Sequence, residues 1–125
     1  MSIRIKRVYE PPAADDGLRV LVDRLWPRGL KRETATLHSW LKEVAPSPSL
    51  RTWFDHRADR FAEFTRRYRK EVAGNPALAE LKRMGKRGTV TLVYGARDPQ
   101  VNHASVLLSL LRSPARRPSA AAARK

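Results

Sequence analysis

Two short stretches hold most of the side chains able to do chemistry. "DRLWPRGL" at residues 23–30 crowds an aspartate, two arginines, a tryptophan, a proline and a glycine behind "LRVLV" at 18–22, an apolar run that belongs inside. "YGARDPQVNH" at 94–103 repeats the pattern after a second apolar run, with Asp98, Asn102 and His103 following a Tyr-Gly pair. Arginine's planar fork binds phosphate or carboxylate through two parallel hydrogen bonds. Glycine lets the backbone approach a ligand closely. An anion is the guest that such a rim suits.

The roles divide accordingly. Arg24, Arg28 and Arg51 are expected to hold the anion, Trp26 or Tyr94 to stack on a base, and Asn102 and His103 to face the same mouth. Asp23 or Asp98 would orient a hydroxyl or a water. If a reaction occurs, Asp23, Asp98 or His56 would be its general base. Each residue also has a plain structural reading. Asp23 can neutralise Arg24 or cap a turn, Trp26 and Pro27 can form a packing wedge, and Asp98 before Pro99 can open a helix. Phosphate-binding G-x-x-x-x-G-K-[ST] and dinucleotide G-x-G-x-x-G loops, a serine nucleophile elbow and paired histidines at metal spacing are all missing. No cofactor or metal is expected, and the choice between enzyme and binding module stays open.

The elements that must position these residues follow from periodicity. "IRIKRVY" at 3–9 alternates like a half-buried strand, residues 10–17 form a loop rich in proline and aspartate, and 18–23 form a second strand. Leu37, Trp40, Leu41 and Val44 have helical spacing, closed by Pro46. A short helix after Ser47 buries Leu50, Trp53 and Phe54. A longer one faces Phe61, Phe64, Tyr68 and Val72 inward, with Glu63 placed to pair with Arg67. "GNP" at 74–76 starts another, carrying Leu78, Leu81 and Met84. A third strand at 90–94 and a last helix from about Pro99 to Arg112 complete the order. The helical crossover makes the second and third strands parallel, while the eight-residue loop leaves the first strand's direction open. The expectation is a small three-layer α/β domain over residues 1–112, with a short, mostly parallel sheet and helices on both faces. Residues 113–125 read as a disordered basic tail.

In such a sheet, ligands bind beyond the carboxyl ends of parallel strands. Both chemical stretches lie at strand exits, so they should meet on one edge.

The charge is +14, from 26 basic and 12 acidic residues. Four basic residues lie beyond Arg112, so residues 1–112 keep 22 against 12, a net +10. Such a surface attracts phosphates and binds nucleic acid non-specifically. The chain has no cysteine, so disulfides and thiolate chemistry are excluded and a reducing cytoplasm is the simplest location. The start "MSIRIKRVYE" lacks a signal-peptide core, and no run reaches the roughly 20 apolar residues of a membrane helix, so no membrane role is expected.

Four blocks are also familiar together: "RVLVDRLWPRGL" at 19–30, "WLKEVAPSPSLRTWFDH" at 40–56, "FTRRYRKEV" at 64–72 and "VTLVYGARDPQVNHASVLLSLL" at 90–111. Spanning about residues 3–111, they resemble the YeaO-like proteins, domain-of-unknown-function family 488. The resemblance implies a compact α/β domain and no particular reaction. Besides the residues above, it draws attention to Trp40, Pro46, Ser47, Trp53, Tyr68 and Glu71. Arg51 and His56 would then sit on a short helix covering the strand exits, with Glu71 as partner to a site arginine. The competing account is an ion-pair network that only locks the helices.

The leading expectation is a domain that binds a phosphorylated small molecule, foremost a nucleotide, between residues 23–29 and 94–103. The alternatives are a nucleic-acid-binding module, using the basic helix around residues 57–70 with the tail, and an interaction protein without a ligand.

Overall fold

The computed structural model describes residues 2–112; the expected tail at 113–125 lies outside them. Strands β1 (Ser2–Arg7), β2 (Leu18–Leu21), β3 (Ser39–Trp40) and β4 (Thr89–Tyr94) form one sheet in the order β1-β4-β2-β3. Every neighbouring pair is parallel, with Ile3 opposite Val90 and Leu18 also opposite Val90. The direction of the first strand, left open by the sequence, is thereby set: β1 runs with β4.

Alternation along the strands sends side chains into two cores. Val20, Val90, Leu92 and Tyr94 face the larger one, which is filled by helices α2 (Pro48–Phe54), α3 (Phe61–Val72), α4 (Pro76–Arg87) and α5 (His103–Arg112). Leu21 and Val93 face the smaller one, against Val8, Trp26, Leu30, Leu37 and Trp40. The short helix α1 (Arg32–Ala35) lies over this second face, where buried Arg19 reaches the Ala35 carbonyl. The domain is a small α/β fold, with the two faces covered unequally. No helix among the described residues is long and apolar enough to cross a membrane.

The loop from β1 to β2 must run back beneath β4. Gly17 allows this passage: its φ is +66°, and a Cβ there would meet the Thr89 carbonyl oxygen at 2.2 Å. Buried Asp16 anchors the same loop through Arg19 at 2.8 Å and Lys6 at 3.2 Å.

Two expected helices are corrected. Leu37–Val44 spacing is helical, but the segment forms β3 followed by a 3-10 turn at Lys42–Val44. The reason is that its apolar residues part company, Leu37 and Trp40 joining the smaller core while Leu41 and Val44 join the larger. Backbone bonds from His38 to Arg19 (2.7 Å) and from Leu41 to Leu21 (2.9 Å) then add the segment to the sheet edge. The last helix begins at His103 rather than Pro99. Asp98 caps only a turn, accepting from the Gln100 and Val101 amides, and Asn102 caps the helix by accepting from Ser105 N at 2.8 Å.

Candidate functional site

The exits of β2 and β4 lie side by side. Val22 N still pairs with Val93 O at 3.2 Å, and one residue later Asp23 Oδ2 accepts from Gly95 N at 2.9 Å. Beyond this clasp the chains diverge and leave a cleft of about 440 Å³. One wall is the 24–28 loop with Tyr9; the other is Pro46, Arg51 and His56; the inner end is Phe54, Phe64, Asn102 and His103.

Local chemistry explains how each side chain arrives there. Ser47 caps α2 by accepting from Leu50 N, and Pro48 occupies the first turn, where no amide hydrogen is required. Glu71 holds Ser47 in place through both its amide (2.9 Å) and its hydroxyl. Arg51 therefore rides on a fixed helix. That helix ends in Asp55 and His56, both left-handed at φ 49° and 54°. Two successive non-glycine residues in that region carry strain, and the turn they make sets His56 on the cleft wall. Half-buried Trp53 is flanked by Arg60 at 5.2 Å and by Arg67 at 4.4 Å from its ring centre, and the Arg67 contact pins α2 to α3.

At the inner end Asp23 faces His103, with Oδ1 3.3 Å from Nε2. Nε2 also lies 2.9 Å from the Val22 carbonyl. Two acceptors around one nitrogen require that nitrogen to carry the hydrogen, and the shorter contact takes it. Oδ1 is consequently buried without a hydrogen-bond donor. Burial pushes the Asp23 carboxyl above the usual carboxylate range, against the pull of His103, the Gly95 amide, His56 and Arg51. Burial likewise pushes the His103 imidazole below its ordinary value, against Asp23 and the Val22 carbonyl.

The cleft gathers Asp23, Arg24, Trp26, Arg28, Arg51, His56 and Asn102. It excludes Tyr94 and Asp98, which corrects both expectations. Tyr94 sits in the larger core, 2% exposed, so its ring cannot serve as a stacking surface. Asp98 is exposed and its carboxylate is used by the 98–101 turn. Other lining residues have structural duties as well. Arg24 donates to the Ala45 and Pro46 carbonyls at 3.1 and 3.2 Å. Trp26 donates to Leu30 O and packs edge-on against Trp40, with Arg32 over its ring. The Asn102 amide is bound into the helix cap, its Nδ2 donating to Asp98 O at 2.7 Å. Glu71 meets Ser47 and not a site arginine.

Tyr9 and Leu25 line the cleft without a role in the sequence reading, and His103, expected at the mouth, meets a partner that the sequence does not show. His103 has no carboxylate near it in the chain, because its partner Asp23 lies on another strand exit. Tyr9 follows β1, whose parallel direction alone brings it to this rim. Tyr9 and Leu25 are the large apolar side chains left exposed among the described residues, at 43% and 60%, and both stand at the cleft.

A family model described as "Inactive DUF488-N3 subclade" matches residues 2–124. The chain belongs to this subclade. The DUF488-N3i match runs past the blocks at 3–111 that carry the resemblance. Among its relatives, an uncharacterized protein of Mycobacterium tuberculosis is 46% identical over 109 residues, covering 87% of this chain and 92% of its own. An uncharacterized protein of Mycobacterium bovis matches to the same extent. The uncharacterized protein YeaO of Escherichia coli is 42% identical over 114 residues, covering 90% of this chain and 99% of YeaO. No solved structure matches the chain.

Proposed function

We propose that this DUF488-N3i protein binds a phosphorylated small molecule, foremost a nucleotide, in the cleft at the strand exits and does not turn it over. The observation that carries this reading is the state of the cleft's cations. Arg4, Arg19, Arg57, Arg66, Arg67 and Arg83 each meet a carboxylate. Arg28 and Arg51 line the cleft and form no ion pair among the described residues, and His56 stands with them on a strained turn. Unpaired guanidinium groups around a concave opening at the carboxyl edge of a parallel sheet suit a phosphate. The cleft's volume lies within the roughly 300–1,000 Å³ typical of small-molecule sites. The word "inactive" in the family description fits binding without turnover.

Calorimetric titration of the full chain with inorganic phosphate and nucleoside monophosphates tests the reading. Saturable single-site binding, weakened about tenfold by Arg51→Ala, is expected, because a charge-assisted hydrogen bond contributes roughly 1.5–3 kcal/mol. Absence of saturable binding overturns it. So does binding only to polynucleotides with a steep salt slope, which would place the partner along the basic helix and tail.

A further inference from the structure

We infer that Tyr9 is a specificity-determining residue: its ring is the platform on which a flat aromatic group of the phosphorylated ligand stacks, so the cleft selects a nucleotide over a sugar phosphate. This rests on the anion-binding reading above and names the residue that chooses within it.

One ring at the strand exits is open. Of the two expected to stack, Tyr94 is in the core and Trp26 is enclosed, edge-on to Trp40 with Arg32 over its ring at 4.6 Å. Phe54 and Phe64 line the inner end but are buried and stacked on each other at 4.1 Å. Tyr9 differs, because it lines the cleft and is exposed. Exposed Leu25 extends the apolar surface on the same wall. Apolar surface left bare at a concave polar opening marks a place that a ligand covers.

The ring is held in position before anything binds. Val8, just before it, is buried in the smaller core and donates to Tyr94 O at 2.8 Å. A turn closed by Glu10 N on Arg7 O at 3.0 Å places Tyr9 at its corner. The Tyr9 hydroxyl donates to Arg28 O at 2.7 Å, and the Arg7 guanidinium lies over the ring at 4.9 Å. Arg7 is fastened in turn, its Nε donating to Ala96 O at 2.8 Å. Arg7 is not part of the cleft wall, so it backs the ring from outside and leaves the other face to a ligand. A platform fixed in this way costs little ordering on binding.

The hydroxyl contact also sets the platform beside Arg28, whose guanidinium lines the same cleft. One molecule can then meet both. A nucleoside monophosphate joins a flat base to a phosphate through one sugar. A sugar phosphate offers Arg28 its anion and gives Tyr9 nothing flat to cover.

The test compares inorganic phosphate, ribose 5-phosphate and adenosine 5′-monophosphate by calorimetry on the full chain, Tyr9→Phe and Tyr9→Leu. The wild type should bind the nucleotide about tenfold more tightly than ribose 5-phosphate, as expected for one base stacked on an aromatic ring. Tyr9→Phe keeps the ring and should keep most of that ratio. Tyr9→Leu keeps an apolar side chain without a π face and should lose it. Taking the ratio within each protein removes any change at Arg28 that loss of the hydroxyl causes. Proton NMR adds a readout that a merely structural role would not move: the adenine ring protons should shift upfield on binding the wild type and Tyr9→Phe, and not Tyr9→Leu. A ratio near one or unshifted adenine protons in the wild type, an undiminished ratio in Tyr9→Leu, or its loss in Tyr9→Phe overturns the inference and leaves the anion site standing. Failure of all three ligands to bind the wild type overturns the anion-binding reading itself.

Discussion

Asp23 accepts a hydrogen bond from the backbone of Gly95 across 72 residues of chain, at 2.9 Å. This contact joins the two strand exits and fixes a carboxylate where water is largely excluded. An ionised group held there opposes folding, because burial disfavours its charge.

Asp23→Asn should therefore stabilise the protein at neutral pH, by about 1 kcal/mol or roughly 4 °C in Tm. The sign with pH follows from the raised carboxyl of the folded state. The folded wild type takes up its proton more readily than the unfolded chain, so it gains stability relative to the variant as pH falls from neutral toward the ordinary carboxyl value of 3.8. Thermal melts of both proteins across that range check it; a Tm difference that widens on acidification contradicts the account.

His103 has the opposite tendency. Its imidazole is neutral in the fold and is pushed below the ordinary 6.5 by burial. The unfolded chain then binds the proton better, and stability present above pH 6.5 is lost as pH falls toward the folded value. His103→Gln, whose amide can still donate to Val22 O, should flatten that acid limb. Denaturant midpoints at pH 7.5 and 5.5 should differ less in the variant than in the wild type.

What could be read from the sequence, and what could not, has a physical division. The strand exits were legible because apolar runs ending at Val22 and Val93 meet Asp, Gly and Pro at once. The segment holding Leu37, Trp40, Leu41 and Val44 was misleading because helical spacing assumes one apolar face, and here the residues part to opposite sides of the sheet. Asp98 and Asn102 both have capping side chains, and their spacing alone does not say which begins the helix. Tyr9 depended on the direction of β1, which a loop of that length does not dictate. The backbone carbonyls that Arg24 and Trp26 also engage could not be read from the sequence, because those carbonyls belong to other loops or turns.

Away from the cleft, Asp16 is the electrostatic anchor of the β1–β2 loop. Burial would raise its carboxyl, but the Ala13 amide, Arg19 and Lys6 together lower it to about 2. Asp16→Asn leaves the Arg19 guanidinium buried with only the Ala35 carbonyl, its Nη2 already without a partner. The loss should be about 3 kcal/mol, as for other broken buried pairs. In the wild type this contribution is present above about pH 4 and disappears as pH falls toward 2. Urea unfolding at pH 7 and pH 3 should show the gap between wild type and variant narrowing at the lower pH.

Arg24 separates charge from positioning. It lines the cleft, yet Nε and Nη2 donate to Pro46 and Ala45, the carbonyls just before Ser47. Glu71 holds Ser47 from α3, so the start of α2 is fastened from two sides, and α2 carries Arg51 and ends at the His56 turn. If Arg24 acted mainly by its charge, Arg24→Lys would behave as the wild type. A lysine is a point donor and cannot span both carbonyls. Arg24→Lys and Arg24→Ala should therefore lose similar stability, about 1–2 kcal/mol from the carbonyls left without their donors. Phosphate affinity should fall in both, through displacement of Arg51 rather than loss of a contact. Calorimetry with inorganic phosphate alongside thermal melts separates the accounts, since full rescue by lysine would make Arg24 a direct ligand of the anion.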